Sequence, residues 1–169
     1  FIGCADIPDD TVPMMLSELN LAAEGVPSPE APPVAHGEFP VVVIGCGQSG
    51  LLAGIRLREA GIPFTIIDKN AGPGGTWWEN SYPGARVDVG SHFYCYSFEP
   101  ADHWTEYFSQ HAELRDYFVG VMHKYGIDEH CRFETEVEAA TFDEAAGTWT
   151  VRVRAADGTV DELPARAVI

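Results

Sequence analysis

The sequence predicts an α/β fold in which a parallel sheet is accompanied by an antiparallel three-stranded meander. Three observations lead there. An apolar β-branched run, a glycine-rich turn, a helix-compatible segment and a second apolar run follow one another between residues 39 and 68. Further on, one apolar stripe repeats at helical spacing, and in the last third the apolar period drops to two. The composition fits such a fold: 169 residues, 46% hydrophobic and 11% aromatic, suffice to enclose a core.

Residues 1–38 read as an N-terminal extension and Pro-rich linker. Seven of the 12 prolines fall within residues 1–40, and Gly25-Val26-Pro27-Ser28-Pro29-Glu30-Ala31-Pro32-Pro33 propagates neither a helix nor a central strand. A short amphipathic helix fits before it, around residues 12–24. The domain proper spans 39–169. Its first run, Val41-Val42-Val43-Ile44, suits a strand buried on both faces. Residues 49–60 suit a helix with Leu51, Leu52, Ile55 and Leu57 as its apolar positions, and residues 63–67 a second strand. Residues 70–108 are irregular and hold 10 of the 19 aromatic side chains, which marks a functional loop. Leu114, Tyr117, Phe118, Val121, Met122 and Tyr125 then fall at i, i+3, i+4, i+7, i+8 and i+11, and Gly126 stops that helix. Gln110, His111 and His123 read as ordinary helix-surface residues. Residues 135–142, 148–154 and 159–163 read as the meander, with turns at 143–147 and 155–158. Residues 165–169 read as a strand returning to the main sheet. A chain that opens at Phe1 and stops on an apolar run is expected to be a piece of a longer polypeptide.

Ten Lys and Arg against 26 Asp and Glu give a formal charge of −16. Nucleic acid and anionic membrane both require a basic footprint, so neither is an expected partner. No apolar run is long enough to span a bilayer and no leader pattern is visible, so the expected location is cytoplasmic. Cys4, Cys46, Cys95 and Cys131 form no C-x-x-C pair, and the six histidines form no H-E-x-x-H; a metal site is not expected. Homo-oligomerisation is left open.

The turn after the first strand is Gly45-Cys46-Gly47-Gln48-Ser49-Gly50. In a G-x-G-x-x-G turn the first glycine permits the tight bend, the second lets a pyrophosphate reach the backbone, and the third lets helix and strand pack closely. The helix N-terminus supplies free N–H groups and a favourable dipole for negative charge. Asp68, at the end of the second strand, is placed to accept hydrogen bonds from a ribose diol. Strand, turn, helix and spaced acid together predict a Rossmann-like dinucleotide-binding domain. A second glycine cluster, Gly72-Pro73-Gly74-Gly75-Thr76-Trp77, follows almost at once and a meander comes later. That order resembles the FAD domain of flavoproteins that bind two dinucleotides, and not the disulfide reductases among them, since no C-x-x-x-x-C follows.

The resemblance sharpens at Gly74-Gly75-Thr76-Trp77-Trp78-Glu79-Asn80-Ser81-Tyr82-Pro83-Gly84-Ala85-Arg86-Val87-Asp88 and at Tyr94-Cys95-Tyr96-Ser97-Phe98. G-G-T-W, Y-P-G-A-x-x-D and Y-x-Y-S-F recur in this order in type I Baeyer–Villiger monooxygenases, which this sequence resembles over residues 40–169. The Trp-Trp-Glu-Asn version and the Pro-rich extension are most similar to members that oxidise 4-hydroxyacetophenone. Asp68 departs from the pattern, where glutamate is commoner, and keeps the chemistry with a shorter reach.

The resemblance implies FAD and NADPH as cofactors and O₂ and a small-molecule ketone, an aryl ketone above all, as reactants. A C4a-peroxide of the flavin would attack the ketone and yield an ester. It also implies that the chain stops before the NADPH domain, so that this piece supplies FAD binding only. Residue by residue, Gly45, Gly47, Gln48, Ser49 and Gly50 would surround the FAD pyrophosphate, and Asp68 with the adjoining Lys69 would meet the adenosine ribose. Gly75, Thr76, Trp77, Trp78 and Glu79 would pass over the flavin side, and Asp88 and Tyr94 would reach FAD near the isoalloxazine. Val137 would contact adenine, and Arg86, Val87 and Asp88 would meet the nicotinamide nucleotide. Asp88 is the expected catalytic-site acid, its partner an arginine outside this chain. Phe93 and Phe98 read as packing. Two other readings remain: an N- or S-oxygenating flavin monooxygenase, and a flavin-binding module without turnover.

Overall fold

The computed structural model describes residues 39–169; the helix and linker expected within residues 1–38 lie outside them. Strand β1 (Val41–Ile44), helix α1 (Gln48–Glu59) and strand β2 (Phe64–Ile67) form the expected β-α-β unit. β1 and β2 pair in parallel from Val41 opposite Phe64 to Ile44 opposite Ile67. Two further strands of two residues each complete the sheet. β3 (Cys131–Arg132) joins β2, and β7 (Ala167–Val168) joins β1, giving the order β3-β2-β1-β7, parallel throughout. The expected return of residues 165–169 to the main sheet is therefore β7. β3 has no counterpart in the sequence reading, because two residues carry no detectable period.

Pleating puts successive side chains on opposite faces, and the two faces pack against different layers. Val41, Val43 and Ile66 point into one core with Leu51 and Ile55 of α1 and with Tyr117, Phe118, Val121 and Met122 of helix α3 (His111–Lys124). Val42 and Ile67 point the other way, onto Val151, Val153 and Ala165 of the meander. The meander is β4 (Thr135–Asp143), β5 (Thr148–Ala155) and β6 (Val160–Ala165), antiparallel throughout. The molecule thus has three layers: helices, parallel sheet, meander. Pro164 sits in β6, an edge strand, where its missing N–H costs no ladder bond on the open side.

Residues 70–108 are irregular as expected, apart from a one-turn helix α2 (Thr76–Glu79) and a 3₁₀ turn at Ser91–Phe93. The buried Ser91 hydroxyl, hydrogen-bonded to Ser109 Oγ at 2.8 Å, ties this loop to the approach of α3. Phe98 packs as read, stacked on Tyr96, but Phe93 is 68% exposed, its ring tilted against that of His92. His111 also differs from its surface reading, since its Nδ1 is enclosed without a partner.

Candidate functional site

The groove lies at the carboxyl ends of β1 and β2, where open α/β sheets present their loops. Gly45 leaves β1 with φ 95°, a left-handed conformation that favours glycine, and its N–H donates to the Ile67 carbonyl at 2.7 Å. Gly47 caps α1, and no side chain bonds to the helix N-terminus, so the first-turn N–H groups meet no competing cap. Gly50 packs against the turn itself: a Cβ there would stand 1.8 Å from the Gly45 carbonyl oxygen. The second glycine cluster closes the other wall. Gly74 N–H donates to the Cys46 carbonyl at 3.0 Å, and a Cβ on Gly75 would lie 3.0 Å from Gly47 Cα. The two backbones approach closely: a Cβ on Gly75 would be tight against Gly47, whereas one on Gly47 would be in ordinary contact with Gly75.

The resulting groove has two contiguous halves of about 350 and 390 Å³, sharing Ile44, Gly45, Gly47, Gly75 and Thr76. Asp68, Lys69, Glu79 and Val137 line one half; Gln48, Ser49, Gly50, Trp77 and Tyr94 line the other. Thirteen of the expected cofactor residues are thereby brought to one place. Trp77 and Tyr94, 17 residues apart, are locked by an indole N–H donating to the Tyr94 hydroxyl at 3.1 Å. Glu79 bonds Lys69 and Asn70, and the Lys69 ammonium beside it holds its carboxyl below the usual carboxylate range.

Asp68 is buried, and its carboxylate does more than face the groove. Oδ2 accepts the Cys46 N–H at 2.6 Å and Oδ1 the Asn70 N–H at 2.8 Å. One acid therefore braces the first glycine turn from the end of the second strand. A carboxylate has about four lone-pair sites, so capacity for a diol remains. This bracing was not legible in the sequence, nor was the placement of Ile44, Asn70, Thr135 and Glu136 in the lining. Only the structure sets Ile44 apart: it ends an otherwise buried strand yet is 46% exposed. Val137 reaches the groove beside a β-bulge between Val137 and Ala139, a device that re-aims side chains next to sites.

Four expected residues line neither half. Trp78 turns away, its ring under Gly72 and the Arg115 guanidinium carbon 5.6 Å from its centroid. Arg86 pairs with Glu106 at 2.7 Å, Val87 is buried, and Asp88 is exposed on the loop between them and Gly90. That loop is held by backbone bonds from Val87 N–H to Ser109 and from Ser91 N–H to Tyr107, not by Asp88. Among the described residues, no helix is long and apolar enough to cross a membrane, and no cluster of three His, Cys, Asp or Glu is arranged to hold a metal ion.

A helix N-terminus with no side-chain cap, a two-glycine close approach and a buried acid, in one groove, fit a dinucleotide. Comparison with known proteins agrees. Residues 43–111 match the NAD(P)-binding Rossmann-like domain family. An uncharacterised monooxygenase of Sinorhizobium fredii is 36% identical over 163 residues, 96% of this chain and 24% of that protein. A Baeyer–Villiger monooxygenase of Pseudomonas aeruginosa is 41% identical over 123 residues, 72% of this chain and 23% of that one. Among solved structures, the FAD-bound form of OTEMO superposes with a TM-score of 0.71 at 29% identity, covering 78% of this chain and 25% of that one. The chain spans about a quarter of the length of the curated relatives it matches. The class is a Rossmann-like dinucleotide-binding domain. Within that class, the sequence and fold are similar to those of Baeyer–Villiger and other FAD-binding monooxygenases.

Proposed function

We propose that this chain is the FAD-binding part of an NADPH-dependent Baeyer–Villiger monooxygenase that inserts one atom of O₂ beside a ketone carbonyl to give an ester. The supporting observation is the groove itself, which joins a helix N-terminus free of side-chain caps, the buried acid Asp68 and the aromatic pair Trp77 and Tyr94. Gly45, Gly47, Gln48, Ser49 and Gly50 would hold the pyrophosphate through backbone N–H groups. Asp68, flanked by Lys69, would hold the ribose, and Val137 would meet the adenine. Gly75, Thr76, Trp77 and Tyr94 would border the flavin. When bound, FAD supplies hydride acceptance from NADPH and the activation of O₂. The chain's own residues bind and orient it, and the paired Trp77 and Tyr94 keep water from that end of the groove.

The Trp78-Glu79-Asn80 continuation of the G-G-T-W string favours an aryl ketone, as in 4-hydroxyacetophenone monooxygenase. The test uses the full-length protein with NADPH, O₂ and 4-hydroxyacetophenone, a cyclic ketone, an amine and a sulfide in parallel. The aryl ester is expected as the main product. Oxygenation of the amine or sulfide alone would establish the N- or S-oxygenating reading, and bound FAD with no NADPH consumption would establish a module without turnover.

Asp68→Ala removes both the ribose acceptor and the brace on Cys46. Charge-assisted hydrogen bonds are worth about 1.5–3 kcal/mol, so the FAD dissociation constant should rise roughly 10- to 150-fold. Titration of the apo full-length protein with FAD measures it, and an unchanged constant removes Asp68 from the site.

A further inference from the structure

The Tyr-x-Tyr-Ser-Phe string places a buried side chain directly behind the pyrophosphate end of the groove. Tyr96 is 5% exposed, and its hydroxyl donates to the Gln48 carbonyl at 2.5 Å. Gln48 is the first residue of α1. Its carbonyl shares one planar peptide unit with the N–H of Ser49, and in a trans unit the two groups point in opposite directions. A carbonyl held from the core side therefore aims the Ser49 N–H to the far side, where Gln48 and Ser49 line the groove. Donation to the carbonyl also polarises the amide and makes its N–H a better donor.

Tyr96 is itself fixed. Its N–H donates to the Tyr117 hydroxyl at 2.8 Å, that hydroxyl donates to the Glu99 carbonyl at 2.8 Å, and the Glu99 N–H returns to the Tyr96 carbonyl at 3.0 Å. Tyr117 belongs to α3, so the relay runs from α3 through Tyr96 to the first turn of α1. Ring stacking on Phe98, 5.1 Å between centroids and 10° between planes, holds the phenol in line. Burial pushes the pKa of the Tyr96 phenol up, so it stays protonated as a donor.

We propose that Tyr96 is a positioning residue for the cofactor pyrophosphate, which sets the direction of the Ser49 N–H by holding the Gln48 carbonyl. The inference rests on the FAD reading above. Its test is Tyr96→Phe in the full-length protein, with Tyr125→Phe as the matched control. Tyr125 loses a hydroxyl bond to Glu99 in the same aromatic cluster but does not touch α1 through it. Three quantities are read: the FAD dissociation constant, the ³¹P resonances of bound FAD, and the melting temperature of the apo protein. Tyr96→Phe should weaken FAD about five- to tenfold, the loss of one buried hydrogen bond, and should move a phosphorus resonance. Tyr125→Phe should leave both unchanged. Tyr117→Phe, which frees the Tyr96 N–H, should move the same resonance by less, and it supplies the reading if Tyr96→Phe does not fold. Unchanged affinity and phosphorus signals in Tyr96→Phe overturn the inference while leaving FAD binding intact. Equal shifts in Tyr125→Phe overturn it too, since general loosening of the cluster then explains them. A wild-type protein that takes up no FAD overturns the cofactor assignment, and this inference with it.

Discussion

Gly47→Val is expected to yield a folded protein without flavin colour. A Cβ at Gly47 meets only Gly75, with its Cα at 3.6 Å, which is ordinary van der Waals contact. Gly47 lines both halves of the groove, so the two further carbons of valine are expected to extend into it. There they separate the first-turn N–H groups of α1 from any phosphate. The loss should be on the order of 100-fold or more in FAD affinity, about 2.8 kcal/mol at 1.4 kcal/mol per decade. Absorbance near the flavin bands after gel filtration measures it, and apo melting within a few degrees of wild type shows that the fold has held. Gly50→Ala makes the contrast. Its Cβ would stand 1.8 Å from the Gly45 carbonyl oxygen, so the backbone itself must move and the apo protein should lose stability before any ligand is added. A Gly47→Val protein that retains stoichiometric FAD would show that the phosphates bind elsewhere.

Asp88→Ala is expected to spare FAD binding and damage turnover. Asp88 lines neither half of the groove, and backbone bonds at Val87 and Ser91 hold its loop, so the substitution removes a charge without removing a support. An exposed carboxylate with no partner among the described residues is available to a cation from elsewhere in the intact protein. We expect that cation to be an arginine at the junction of the flavin and the nicotinamide. Losing a group that positions such a donor costs on the order of 10²–10³ in rate. Stopped-flow measurement of reduction by NADPH, followed by O₂ and ketone, should show slowed turnover and more NADPH consumed per ester formed. If ester yield and coupling equal wild type with normal FAD content, Asp88 is only a loop residue.

The parts of this molecule legible in the sequence are those encoded by local period. The run Val41–Ile44, the glycine turn and the α3 stripe each state which neighbours must be buried together, because a helix or strand has to hide one side. The meander was equally legible from Trp149, Val151 and Val153 alternating with polar residues. Glycine spacing also marks where a phosphate is expected to approach, since Gly50 admits no Cβ beside the Gly45 carbonyl and a glycine at 47 keeps side chains off the turn. Those patterns determined the α/β class, the order of elements and the end of the sheet at which to look.

Tertiary structure alone decided what depends on residues far apart in the chain. β3 exists because β2 offers an edge to Cys131 and Arg132, not because two residues prefer to be extended. Asp68 braces Cys46 across 22 residues, and Tyr96 reaches Gln48 across 48. Trp77 and Trp78 show the same limit at shortest range. Neighbours on a one-turn helix point about 100° apart, so one ring could face the groove and the other could not. The string Gly-Gly-Thr-Trp-Trp is silent on which. Packing chose: Trp77 found the Tyr94 hydroxyl, and Trp78 filled the space beneath Gly72 that a side chain there would have taken.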